Sequence, residues 1–168
     1  DETEPVTAET ESPFTFEGGS FSADVFDKRN SQLDMSVVDY DGSKQLKVSY
    51  ISTNNWLWLH KELKAGTTIT FDVTFDNAGT GDAMSIFCYG SKVNGDPITE
   101  GTPTDTIPQS WFWGQGVSAE LDANGKKKYT VTFTVYEDCC GMSMMIGFGD
   151  ANKTGTAIYL DNIVITEP

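Results

Sequence analysis

The chain has 168 residues, 38% of them hydrophobic and 12% aromatic, which suits one domain with a proper core; no apolar run is long enough to cross a bilayer. Its 25 acidic residues against 11 basic give a formal net charge of -14. That sign argues against nucleic acid, whose binding rewards positive surface and counterion release, and against membrane surfaces and strongly anionic polymers.

Residues 1–12 alternate Thr and Glu with little to bury, so they read as a disordered linker stub joining the domain at 13–168 to a larger polypeptide. The leading residues lack a basic region followed by an apolar one, so no signal peptide is expected, and the opening Asp1 reads as the start of a mature or excised piece. Phe14-Thr15-Phe16-Glu17 alternates like a strand until Gly18-Gly19 breaks it. Leu33 to Val38 alternates up to the turn Asp41-Gly42, and Lys44 to Ser52 follows. The clearest strand is Thr67 to Asp76, with Ile69, Phe71, Val73 and Phe75 on a core face and Thr68, Thr70, Asp72 and Thr74 on a wet one.

Met84 to Tyr89 is a further strand, and Gly90 to Gln109 a long Gly/Pro/Thr-rich loop of the kind that tends to carry function. Asn124-Gly125 signals a type I′ hairpin. Lys128 to Tyr136 puts Tyr129, Val131, Phe133 and Val135 inward and Thr130, Thr132 and Thr134 outward; Met142 to Phe148 and Ala157 to Thr166 close the domain. Many short strands without an amphipathic helix predict an all-β fold, an antiparallel two-sheet β-sandwich with jelly-roll topology.

The three cysteines, Cys88, Cys139 and Cys140, cannot all pair within the chain. Free, partly buried thiols are the expected state, with a bridge from Cys88 to Cys139 or Cys140 as the alternative. One histidine and no C-x-x-C spacing leave nothing from which to build a zinc site.

Asn54-Asn55-Trp56-Leu57-Trp58-Leu59-His60 carries the strongest functional signal. Extended chain puts Trp56, Trp58 and His60 on one face and Leu57 and Leu59 on the other, with about 7 Å between successive indoles. All four tryptophans lie in such doublets, the second being Trp111-Phe112-Trp113. Both doublets could be packed in a core, since tryptophan is usually well buried. Their polar neighbours favour a stacking ledge: Asn55 and His60 flank the first, Gln109 and Gln115 the second. Rings for area with amides and an imidazole at the rim suit a neutral, hydroxyl-rich ligand. Tyr89 and Tyr136 are reserve candidates. Glu17 and Asp161, near the two ends of the domain, could converge on a hard cation, with carbonyls from Asp41 and Lys44; Thr15 is counted with this set.

Phe14-Thr15-Phe16-Glu17-Gly18, Asp41-Gly42-Ser43-Lys44-Gln45-Leu46-Lys47-Val48 and Tyr159-Leu160-Asp161-Asn162-Ile163 resemble the corresponding pieces of jelly-roll carbohydrate-binding modules, non-catalytic domains of secreted bacterial plant-cell-wall enzymes. The resemblance spans most of residues 13–167. It implies a structural Ca2+ at the positions just named and a polysaccharide cleft lined by aromatics on one sheet. The ligand expected is a neutral β-glucan such as cellulose, mixed-linkage glucan or xyloglucan. The chain would then be a secreted, monomeric module within a larger multimodular enzyme.

Two other classes compete. A structural or adhesive sandwich would use the indoles as core or as a protein contact. A small glycanase would need two carboxylates across the scissile bond, for which Glu62 and Asp72 are the best pair present.

Overall fold

The computed structural model describes residues 8–28, 32–52, 55–92, 110–149 and 155–168; of residues 91–92 and 110–115 it describes the backbone alone. The strands are β1 (Phe26–Asp27), β2 (Leu33–Tyr40), β3 (Ser43–Tyr50), β4 (Trp56–Leu63), β5 (Thr68–Asp76), β6 (Met84–Lys92), β7 (Ser110–Ala119), β8 (Lys126–Thr134), β9 (Cys139–Gly147) and β10 (Ala157–Thr166). They form two antiparallel sheets in the orders β1-β4-β9-β6-β7 and β2-β3-β10-β5-β8. Without the two N-terminal strands the orders become β4-β9-β6-β7 and β3-β10-β5-β8. From β3 to β6 and again from β7 to β10 successive strands alternate between the sheets, with β6 and β7 neighbours in one sheet, in the jelly-roll manner.

The core follows from alternation. On β5, Ile69, Phe71, Val73 and Phe75 point inward at 1% exposure or less, and Val131 and Phe133 of β8 join them. The other sheet answers with Leu57, Leu59, Ile86, Cys88, Met142, Met144 and Ile146, all buried. Each such large side chain contributes about 1.5–3 kcal/mol of burial.

Three local expectations need correction or closing. Phe14–Glu17 forms no strand: Phe14 exchanges backbone hydrogen bonds with Ile163 at 2.8 and 3.1 Å, then Phe16 turns to a φ of 59° and accepts from the Gly19 N–H. A left-handed residue cannot continue a strand. Asn124-Gly125 is not a hairpin either, because β7 pairs with β6 and β8 with β5, in different sheets. A type I′ turn needs positive φ at both central residues, and neither has it.

The third concerns a bridge from Cys88. Its ladder partner on β9 is Met144, four and five residues from Cys140 and Cys139. Strand rise puts those positions about 13–17 Å apart, far beyond disulfide reach. No disulfide joins Cys88, Cys139 or Cys140, and burial pushes the Cys88 thiol up to about 12.

Candidate functional site

On β4 the expected alternation holds: Leu57 and Leu59 are fully buried in the core, and Trp56, Trp58 and His60 occupy the outer face of the sheet. Cross-strand partners share a face, so the register identifies their company. Asp27 of β1 is opposite Trp58, Trp58 opposite Ser143 of β9, Ser143 opposite Tyr89 of β6, and Tyr89 opposite Trp113 of β7. One row along, Trp56, Met145 and Phe87 are matched; in the other direction His60 is opposite Gly141. Ser91 is the backbone partner of Trp111.

The rings gather over β9. Trp56 stacks on Trp58 with centroids 6.1 Å apart at 22°, and reaches Tyr89 at 6.0 Å and 45°. Tyr89 stands two strands from β4, about 9.6 Å away by backbone spacing. The side chains bridge that gap because Ser143, between them, is small. Trp58 is buried at 2% exposure and Ser143 at 0%, while Trp56 and Tyr89 are half-buried. The first doublet is therefore a covered indole beneath a partly open one, not two exposed rings. Farther along, Phe87 lies over Gly116, where a Cβ would come within 2.2 Å of the ring.

His60 is held by β1. Its backbone N–H donates to Val25 O at 2.8 Å, and its Nε2 is 2.9 Å from Asp27 Oδ2. Asp27 is 7% exposed. No sequence signal marks Asp27, because a two-residue strand carries no period.

The other candidates are less uniformly placed. Asn55 is half-buried, and with its amide oriented to donate, Nδ2 reaches Ser52 O at 2.8 Å and Gln32 O at 3.2 Å. That ties it to the β3–β4 connection. Tyr136 is 56% exposed on the β8–β9 connection, beside the turn where Gly66 N donates to Val135 O, outside the aromatic rows. Trp111, Trp113 and Gln115 are placed by backbone only, Gln115 at the bulge that shifts the β6–β7 register. Gln109 lies outside the described residues. Glu62 and Asp72 belong to different sheets, so they do not flank a common bond; Asp72 is engaged by Thr130 Oγ1 and Asn162 Nδ2 on the far sheet.

Glu17 and Asp161 do converge. Adjacent residues of β3 hold them: Ser43 Oγ donates to Asp161 Oδ2 at 3.1 Å, and Lys44 N donates to Glu17 Oε1 at 3.2 Å. Asp161 is 6% exposed. Burial raises its carboxyl above the usual range, with the Glu17 and Asp72 charges adding to that and hydrogen bonds from Asn162 and Ser43 opposing it. A buried carboxylate next to a second one suits a hard cation. Among the described residues no three His, Cys, Asp or Glu side chains cluster for a metal, so backbone carbonyls would have to complete the set. Asp41 turns the chain there with φ 47°. Lys44 Nζ pairs with Asp39. Thr15 is engaged elsewhere, donating from N and Oγ1 to the Glu9 carboxylate, each at 2.7 Å.

No protein-family model matches the sequence, and no curated protein matches it. Solved structures do. The CBM22-1 xylan-binding domain of Paenibacillus barcinonensis Xyn10C aligns over 90% of this chain and 89% of its own, at 12% identity and a TM-score of 0.56. The chain shares the β-sandwich fold of bacterial carbohydrate-binding modules. The CBM22-1-CBM22-2 tandem of the same Xyn10C aligns over 99% of this chain and 51% of its own, at 14% identity and a TM-score of 0.59. The K1 cleaved adhesin domain of Lys-gingipain from Porphyromonas gingivalis W83 is also similar, at 13% identity and a TM-score of 0.57 over 92% of this chain and 96% of that one. At these identities the likeness is one of fold.

Proposed function

We propose that this domain binds a polysaccharide without cleaving it. The observation that carries the reading is the aromatic face: Trp56 and Tyr89, half-buried and gathered over β9 against the covered Trp58, with the Asp27–His60 pair on the same face. Rings supply stacking area against the apolar faces of sugars, and the polar pair supplies orientation. The preferred ligand is a neutral β-glucan such as cellulose, mixed-linkage glucan or xyloglucan. The domain acts outside the bacterial cell, holding a tethered enzyme at plant cell wall. Trp111 and Trp113 extend the stacking surface onto β7, and Gln109 and Gln115 add hydroxyl contacts. Glu17 and Asp161 hold a structural Ca2+, which would stabilise the fold without touching the sugar.

The experiment is a glycan array, followed by calorimetry on the ligands found. Xylan belongs on the array beside the β-glucans, given the xylan-binding neighbour. A neutral glycan releases no counterions, so affinity should change little between low and moderate salt. The likeness to an adhesin domain favours a second reading, a protein-binding sandwich. Silence on every glycan, or a steep salt dependence, would turn the assignment that way.

A further inference from the structure

The N-terminal strand β1 is two residues long, yet its short segment holds one side chain of the aromatic face from two directions. Val25 O takes the backbone N–H of His60, and Asp27 Oδ2 meets the imidazole Nε2 at 2.9 Å. An ionised carboxylate only accepts hydrogen bonds, so Nε2 is the donor; a neutral imidazole that donates there keeps Nδ1 as an acceptor. Among the described residues the imidazole makes no other hydrogen bond. On its other flank the ladder partner of His60 is Gly141, which brings no side chain. Nor can it carry one, since a Cβ there would come within 2.2 Å of Leu59 O. The ring is thus fixed on one side and given room on the other, and its side chain keeps 17% exposure while that of Asp27 keeps 9%.

We infer that Asp27 is a positioning residue of the ligand face: by accepting from Nε2 it orients His60 so that Nδ1 presents a single acceptor to a ligand hydroxyl. This rests on the polysaccharide-binding reading and deepens it. It requires of the glycan a free hydroxyl at that position, because an ether or a deoxy carbon has no proton to donate.

The test uses Asp27→Asn, His60→Ala and the double variant, each titrated by calorimetry with cellohexaose and xylohexaose and paired with a thermal melt. Asp27→Asn should weaken binding by about threefold to tenfold, the worth of one hydrogen bond. The double variant should bind no worse than His60→Ala alone, since residues acting through one contact couple. A second readout needs no substitution. His60 is the single histidine of the chain, so its ring nitrogens are assigned without ambiguity in a 15N spectrum at about pH 8. Saturating hexasaccharide should shift Nδ1 and leave Nε2 nearly still. An unmoved Nδ1 in a sample that binds the sugar, or an equal loss from Asp27→Asn with and without His60, overturns the positioning role alone. A wild-type domain that binds no glycan overturns the functional reading as well.

Discussion

Trp58 on β4 and Ser143 on β9 are direct partners across their ladder and are both buried, although they lie on the outer face of the sheet and not in the core between sheets. The small serine lets Trp56 and Tyr89 close over it from either side. Its Oγ makes no hydrogen bond among the described residues. The two indoles of the first doublet are therefore placed differently: Trp58 is covered, and Trp56 is half-buried beside it, so on the proposed function Trp56 is the ring a ligand would meet.

That division can be separated by truncation. Trp56→Ala should lower glycan affinity severely and shift the melting temperature only slightly, because a half-buried ring leaves no closed cavity. Trp58→Ala should cost about 3–5 kcal/mol of stability, the usual loss for a buried large aromatic, and weaken binding as Trp56 loses its support. Calorimetry and melts on the two variants decide it. Equal stability losses from both would mean that Trp56 is packing too.

Ser143 gives a test of opposite sign. Burying a hydroxyl without a partner costs about 1–3 kcal/mol, so Ser143→Ala should leave stability unchanged or raise it. A clear drop in the melting temperature would show that the hydroxyl is satisfied in solution.

Much of this was legible in the sequence. The alternation of Thr67 to Asp76 and of Lys128 to Tyr136 marked β5 and β8 with their inward faces, although Thr74, expected on the wet face, is buried at 5% exposure, and Ala157–Thr166 coincides with β10. The split of Leu57 and Leu59 from Trp56, Trp58 and His60 also followed from period alone. What period cannot give is the neighbour across the ladder. Whether Trp58 is open or covered depends on Ser143, eighty-five positions away in the chain and opposite it only through tertiary register. Asp27 carries no pattern of its own either, being on a strand of two residues. Asn124-Gly125 misled because a local turn signal says nothing of which sheet the next strand joins.

The thiols provide a check on that register. Cys88 is fully buried, with its ionisation pushed up to about 12 by that burial, and thiolate is the reactive form. A thiol reagent on the native protein should label Cys140, which is half-buried, and spare Cys88 until denaturant is added. Mobility on gels should not change with reductant. A band shift on reduction of the monomer would contradict the β6–β9 pairing.

The Glu17–Asp161 pair makes a prediction in which pH and metal act in opposite directions. Asp161 has its folded pKa raised, first by burial and further by Glu17 and Asp72. Between the ordinary carboxylate value and that raised one, the native state binds more protons than the unfolded chain, so stability falls as pH rises through the window. In chelator, Asp161→Asn should therefore melt higher than wild type near neutral pH, and the advantage should shrink as acid protonates the wild-type carboxyl. A cation between the carboxylates would reverse the sign, favouring the charged form, and would raise the wild-type melting temperature by mass action. Calcium should then stabilise the wild type and have little effect on Asp161→Asn, while glycan affinity, which the proposed function places on the other sheet, stays the same in both. The measurement is a set of melts in EGTA and in excess calcium at several pH values, with elemental analysis of the purified domain. A wild-type melt that ignores calcium at every pH would remove the metal from the Glu17–Asp161 site and leave the raised Asp161 as an unrelieved buried acid.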